Sequence, residues 1–177
     1  AKLPAYAWFG ITDKPRGENP MNSIAWRSER FELVSPGGYW LSQTPHVPGS
    51  RSWDSTQPRL ANWVRLIDTQ TENELRLVNT HLDNRGETAR PEQARLINED
   101  AAAYDPQYPQ ILTGDMNARP ASPAIDRFLQ AVWRDTYQLA HGTFDTGPTF
   151  HGFKGADCAD KGKRIDWIFQ RGAVTTH

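Results

Sequence analysis

The stretch Gln110-Ile111-Leu112-Thr113-Gly114-Asp115-Met116-Asn117 limits the fold more than any other part of this 177-residue chain. A short apolar run with a β-branched residue, closed by Gly and then polar side chains, reads as a buried strand that stops at a site. Residues two apart share a face in extended chain, so Asp115 and Asn117 project together just past Ile111 and Thr113. A carboxylate beside a neutral amide suits phosphate chemistry: the first can deprotonate a water, and the second can hold it without adding a repelling charge. Gly, Asp and Asn are also ordinary turn residues, and the octapeptide alone is equally compatible with a turn.

The rest of the chain reads as strands first and helices later. Residues 6–11, 23–26 and 31–39 have strand character, with the cluster Asp13-Lys14-Pro15-Arg16-Gly17 as a loop. Residues 42–58 carry three prolines and read as an ordered surface loop. Residues 60–67 and 74–82 resemble a long hairpin about a polar turn. Pro91 opens a helix whose stripe is Ala94, Ile97, Ala101 and Tyr104, ending before Pro106. Ser122-Pro123 is an N-cap and first-turn pair for a stripe of Ile125, Phe128, Leu129 and Val132. A third short helix is expected over 135–141, closed by Gly142. Strands return at 149–150 and 164–169. An apolar strand following a helix at Ile111, within this order, indicates an α/β or α+β layered domain.

Composition narrows the function. The length suits one domain, 1–177, with a sizeable core. A formal charge of −1 provides no large basic field for holding a polyanion, although a bound metal adds positive charge that such a count omits. Cys158 is the only cysteine, which rules out an internal disulfide or a cysteine zinc site. There is no apolar run of membrane-spanning length and no signal-peptide pattern. The start at Ala1-Lys2-Leu3-Pro4 lacks Met and reads as trimmed, so the compartment, secreted or cytoplasmic, stays open. A monomer is expected.

Two more strand ends carry polar side chains. In Leu75-Arg76-Leu77-Val78-Asn79-Thr80-His81-Leu82-Asp83 one face passes from Leu75 and Leu77 to Asn79 and His81. His81 can donate to a phosphoryl oxygen, or be a half-buried His satisfied by a neighbour. In Arg164-Ile165-Asp166-Trp167-Ile168-Phe169, Asp166 is flanked by apolar residues. Burying it demands a partner: a cation, a His, a metal, or a structural pairing with Arg164.

Taken together, Asn79-Thr80-His81-Leu82-Asp83, Ile111-Leu112-Thr113-Gly114-Asp115-Met116-Asn117-Ala118, Thr149-Phe150-His151-Gly152-Phe153 and Arg164-Ile165-Asp166-Trp167-Ile168-Phe169 resemble the endonuclease/exonuclease/phosphatase superfamily. Tyr39-Trp40-Leu41-Ser42-Gln43-Thr44-Pro45, Arg59, Trp63, Arg90 and Gln93 add context, and four ordered motifs are specific where one is weak. The resemblance implies a deoxyribonuclease-like two-sheet α/β sandwich with flanking helices and Mg²⁺- or Mn²⁺-assisted hydrolysis of a phosphate ester. The substrate would be a small molecule, a lipid headgroup or nucleic acid. It makes Asp115 the water-activating carboxylate, Asn117 its orienting partner and His81 a contact of the scissile phosphate. Asp166 would orient a second His, with Arg59 as a phosphate or structural arginine and Thr149 as a phosphate neighbour or strand residue. Glu18 is the candidate for the Glu that orients the His motif. Asp115 and Asn117 are possible metal ligands. The family's principal metal-binding Glu, on an N-terminal strand, and its closing Ser-Asp-His motif are not found here. The fold is therefore expected to be incomplete at both termini, lacking its first strand-helix and last strand, and the chain a weak catalyst drawn from a competent parent. Alternatives are an impaired fragment, or a binding domain using Trp26, Trp40 and Trp53 as an aromatic surface. His46, His141 and His151 have no assigned role, and Asp83, Asn84 and Arg85 rank below the strand-end residues.

Overall fold

A computed structural model describes residues 3–12, 21–144, 147–155 and 163–176. In chain order its strands are β1 (Tyr6–Phe9), β2 (Ile24–Arg27), β3 (Phe31–Trp40), β4 (Leu60–Asp68), β5 (Glu74–His81), β6 (Gln110–Asp115), β7 (Arg134–Asp135) and β8 (Asp166–Arg171). The helices are α1 (Ala89–Ala102), α2 (Pro123–Gln130) and α3 (Thr136–His141). The larger sheet has the order β3-β4-β5-β6-β8-β7, and β1 pairs with β2 in a separate two-stranded sheet. Both sheets and the helices agree with the expected α/β sandwich.

The hairpin at 60–82 forms as β4 and β5, antiparallel. The chain then crosses through α1 and returns as β6, parallel to β5, as a βαβ connection requires. Period-two alternation sorts the side chains between two cores. Val78, Leu112, Trp167 and Phe169 face α1 and α2 and pack with Ile97, Ala101, Ile125 and Phe128. On the opposite face, Val64 and Leu66 pack against Ile24 and Trp26 of the small sheet. β2 contacts β4 and β5, whereas Ile168 of β8 on that same face is 51% exposed.

Gly114 is where β5 and β6 come closest. Its φ is +152° and a Cβ there would overlap the Thr80 carbonyl, so only glycine permits the approach. β8 is fastened by a buried ion pair outside its own length. Arg164 makes two hydrogen bonds to Asp135, Nη1 to Oδ2 at 2.8 Å and Nη2 to Oδ1 at 2.7 Å. Its guanidinium also lies 3.6 Å from the Trp167 ring centre. Asp135 in turn caps α3 through the Tyr137 N–H, and Gly142 closes that helix at φ 71°.

Several expectations need correction. Pro91 lies in the first turn of a helix that begins at Ala89. Val132 is no part of the α2 stripe: the helix ends at Gln130, and Val132 turns to φ 63° and is exposed. Residues 149–150 contribute one antiparallel bridge, Phe150 to Lys163, in place of a strand. β7 was not foreseen, because two residues carry no periodicity. Trp26 is buried between the sheets, and Trp40 and Trp53 are half-buried, so these three make no aromatic surface. Among the described residues no helix is long and apolar enough to cross a membrane.

Removing one partner of a buried ion pair leaves an uncompensated charge, typically at about 3–5 kcal/mol. Asp135→Ala should therefore lower the urea unfolding free energy by about that amount, and Gly114→Ala should be at least as damaging. A loss under about 1 kcal/mol for Asp135→Ala would mean that Arg164 finds another partner.

Candidate active site

The register of three strands builds the site. His81 of β5 lies opposite Asp115 of β6, and Asp115 lies opposite Asp166 of β8. All three occupy one row across the sheet, on the face away from α1 and α2. Asp115 Oδ2 is 3.4 Å from His81 Nε2. Below them the next row places Asn79, Thr113 and Ile168, where Thr113 Oγ1 donates to Asn79 Oδ1 at 3.0 Å.

Asn117 enters by a turn rather than by alternation. The strand ends at Asp115, Met116 is fully buried, and Asn117 takes φ 45°. Its N–H donates to Asp115 Oδ1 at 2.8 Å and its Nδ2 to the Leu82 carbonyl at 3.0 Å. Asn117 is thereby folded back onto the Asp115 carboxylate. The turn that the octapeptide allows is present, and it is the turn that brings Asn117 onto Asp115.

Asp166 is exposed rather than buried as its apolar flanks suggested, and the alternative pairing with Arg164 is not made, Arg164 reaching Asp135 instead. Arg164 lies two residues before β8 begins and is not bound by its alternation, which frees it to turn away. Thr149 Oγ1 accepts from the backbone N–H groups of Ile165 and Asp166 at 3.0 and 3.1 Å. Its observed contacts therefore fix the entry to β8. Thr149, Asp115 and Asp166 line a hollow of about 650 Å³ together with Tyr137, His141 and Ile168. His141 packs on the Tyr137 ring at 4.3 Å, and His151 Nδ1 accepts from the Gly155 N–H. Glu18 and Cys158 lie outside the described residues.

On the other side stands Arg59, only 7% exposed. Its Nε has no hydrogen-bond partner and is 3.7 Å from Asp83 Oδ2. Asp83, ranked below the strand-end residues on sequence, is fully buried. The one advance signal was the Asp-Asn-Arg-Gly string, whose first residue accepts from the N–H two positions on, that of Arg85.

Electrostatics follow from burial. Burial raises the Asp115 carboxyl above its usual range, and nearby Asp166 adds to this against the opposing Asn117 N–H, His81 and Arg59. Burial lowers the His81 imidazole, with Arg59 adding to the shift and Asp115 and Asp166 resisting it. Both shifts favour the uncharged form of each partner. Burial also lowers Arg59.

Among the described residues no three His, Cys, Asp or Glu side chains group as for a metal ion, so no closed protein cage is present. What the row offers fits a hard cation that keeps most of its water. Asp115 bears a partly buried carboxylate, and Asn117, which donates its N–H to that carboxylate, carries a neutral amide oxygen as a second oxygen donor.

Native Asp115 holds its proton to higher pH than the unfolded chain does, so its ionisation in the fold opposes stability above that range. Asp115→Asn should raise the melting temperature at pH 7.5 in chelator. The gain should shrink as pH falls and native Asp115 takes its proton. For His81 the sign is set by the unfolded chain, which binds a proton below about pH 6.5 while the native imidazole resists. Wild type should lose stability as pH falls through that value, and His81→Gln should lose less. Melting curves across pH 4.5–8 check both.

Residues 4–177 match the model of the Endonuclease/Exonuclease/phosphatase family. No curated protein matches the chain. Among solved structures, an endonuclease/exonuclease/phosphatase from Bacteroides vulgatus is 30% identical, with TM-score 0.86 over 96% of this chain and 66% of that one. A mannosyl-6-phosphatase from Bacteroides thetaiotaomicron is 31% identical, with TM-score 0.83 over 96% and 64%. D. rerio TDP2 in complex with a single-strand DNA product shares the fold at 16% identity, TM-score 0.69, over 96% and 63%. The chain thus spans just under two thirds of the length of each.

Proposed function

Since the chain belongs to the endonuclease/exonuclease/phosphatase family, we propose that it is a single domain carrying the reactive core of a divalent-metal-dependent hydrolase of phosphate esters. The observation that carries this reading is the shared row of His81, Asp115 and Asp166, with Asn117 folded back onto Asp115.

In this reading Asp115 Oδ2 takes a proton from the attacking water. Its raised pKa strengthens it as a base relative to an ordinary carboxylate. The Asn117 N–H holds the other carboxylate oxygen, so Oδ2 stays aimed, and Asn117 Oδ1 accepts from the same water. His81, neutral at working pH, donates from its ring N–H to a phosphoryl oxygen. Arg59, the nearby buried cation, stabilises charge on that group. Asp166 extends the row and is assigned to orient a second imidazole, and Thr149 acts through its hold on the β8 entry. Mg²⁺ or Mn²⁺ would be held by Asp115 and Asn117 Oδ1 and, when bound, supplies charge neutralisation at the phosphoryl oxygens. A net charge of −1 and the likeness to a mannosyl-6-phosphatase favour a small phosphoester over long DNA.

The test is hydrolysis of p-nitrophenyl phosphate and bis(p-nitrophenyl) phosphate with Mg²⁺ or Mn²⁺. Chelator should abolish activity, and Asp115→Ala should reduce it by roughly 10²–10⁴-fold. Preference for the monoester with a shallow salt dependence is expected of a small-substrate enzyme. Metal-dependent activity untouched by Asp115→Ala would overturn the assignment.

A further inference from the structure

Asp83 lies two residues past His81 and has no place in the chemistry above, yet it is among the most heavily bonded side chains described. Its Oδ2 accepts from Ser55 Oγ at 3.0 Å, Thr56 N at 2.9 Å, Thr56 Oγ1 at 3.1 Å and Gln57 N at 3.3 Å. Its Oδ1 accepts from Arg85 N at 2.9 Å and Gly86 N at 2.7 Å. One carboxylate thereby joins the segment leading into β4 to the segment leaving β5. Gln93 of α1 closes the arrangement, accepting from Asp83 N and donating to Ser55 Oγ. Burial works against ionisation here, but the N–H groups of Gly86, Arg85 and Thr56 and the Ser55 hydroxyl prevail and hold the carboxyl far below its usual range.

Arg59 sits where these two segments meet, and it is not spent on Asp83. The Nε–Oδ2 separation of 3.7 Å is an ion pair without a hydrogen bond, and the Nε is orphaned. Among the described residues its hydrogen bond is a long one, Nη2 to Asn84 Oδ1 at 3.4 Å. Asn84 Oδ1 is also within 3.4 Å of Thr56 Oγ1. A buried guanidinium that keeps donors in reserve, held in place from behind by charge and from the side by an amide, is suited to receive an oxyanion.

We propose that Asp83 and Asn84 are positioning residues that hold Arg59 as the receptor for a non-bridging phosphoryl oxygen, on the side of the row opposite the Tyr137 hollow. Asp83 supplies the counter-charge that lets a cation stay buried with free donors. Asn84 sets the plane of the guanidinium. The inference rests on the phosphoester reading of this site but does not need turnover for its test.

Inorganic phosphate binding to the full chain is measured by titration calorimetry for wild type, Asp83→Asn, Asn84→Ala, Arg59→Gln and the double variants with Arg59→Gln. Arg59→Gln should weaken phosphate binding about 10–100-fold, as expected for loss of a hydrogen bond to a charged group. Asn84→Ala, at a solvent-exposed position, should weaken it about 3–10-fold with the melting temperature unchanged. In the Arg59→Gln background both positioning variants should have no further effect, because they act only through that residue. A merely structural role gives equal losses in both backgrounds and overturns the proposal. Should Asp83→Asn fail to fold, Asn84→Ala alone decides. Binding that ignores Arg59→Gln, or wild type that binds no phosphate, also overturns it, the latter along with the phosphoester reading. Coupled binding without any hydrolysis would uphold this inference while the proposed activity fails.

Discussion

Everything at the site depends on one close approach, that of the Gly114 backbone to the Thr80 carbonyl. It allows β6 to lie parallel to β5 in a register that sets Asp115 beside His81. A side chain at position 114 would push the strands apart just before their polar ends. The register would then be free to slip, and a slip by one residue turns every side chain to the other face. His81 and Asp115 would no longer meet. A local steric fact thus decides whether two residues separated by a whole βα crossover come to lie side by side.

The second consequence is electrostatic. The row crowds Asp115 and Asp166 on neighbouring strands and buries a His between a carboxylate and an arginine. Such an arrangement opposes folding, since burial weakens the ionised form of each of Asp115, His81 and Arg59. The framework tolerates it because stability comes from elsewhere. Phe128, Trp133, Trp167 and Phe169 are buried in the core beneath the helices, and the Arg164–Asp135 pair fixes β8 at its entry. The apolar core that offsets this cost lies on the face of the sheet opposite the row.

Much of this was legible in the residues. The hairpin, the apolar stripe of α1, the Ser122-Pro123 start of α2 and the strand ending at Asp115 all followed from periodicity and turn chemistry, which act over a few residues. His81 and Asp115 were identifiable as polar ends of apolar strands. What escaped prediction depends on contacts far apart in the chain. Arg164 was one of several partners that the sequence left open for Asp166, but Arg164 found Asp135, which local pattern does not report. Trp26 looked available for a surface because nothing near it showed that Val64 and Leu66 would cover it. Asp83 looked like one more loop carboxylate, and its importance comes from Ser55, Thr56 and Gln57 arriving from another segment. The Ser122 hydroxyl makes no cap bond although its backbone takes the cap conformation, so the position was legible and the contact was not.

Asn62 of β4 is completely buried, and its amide faces the small sheet. Its Oδ1 accepts from the Ile11 N–H at 3.0 Å, and its Nδ2 donates to the carbonyls of Met21 at 2.6 Å and Asn22 at 3.1 Å. The Met21 N–H also donates to the Ile11 carbonyl at 3.1 Å. A single side chain from the large sheet therefore pins both ends of the connection between β1 and β2, like a rivet through the two ends of a strap. The mutual position of Ile11 and Met21 is thereby set from the large sheet, so the alignment of β1 with β2 and the placement of β4 are one constraint rather than two.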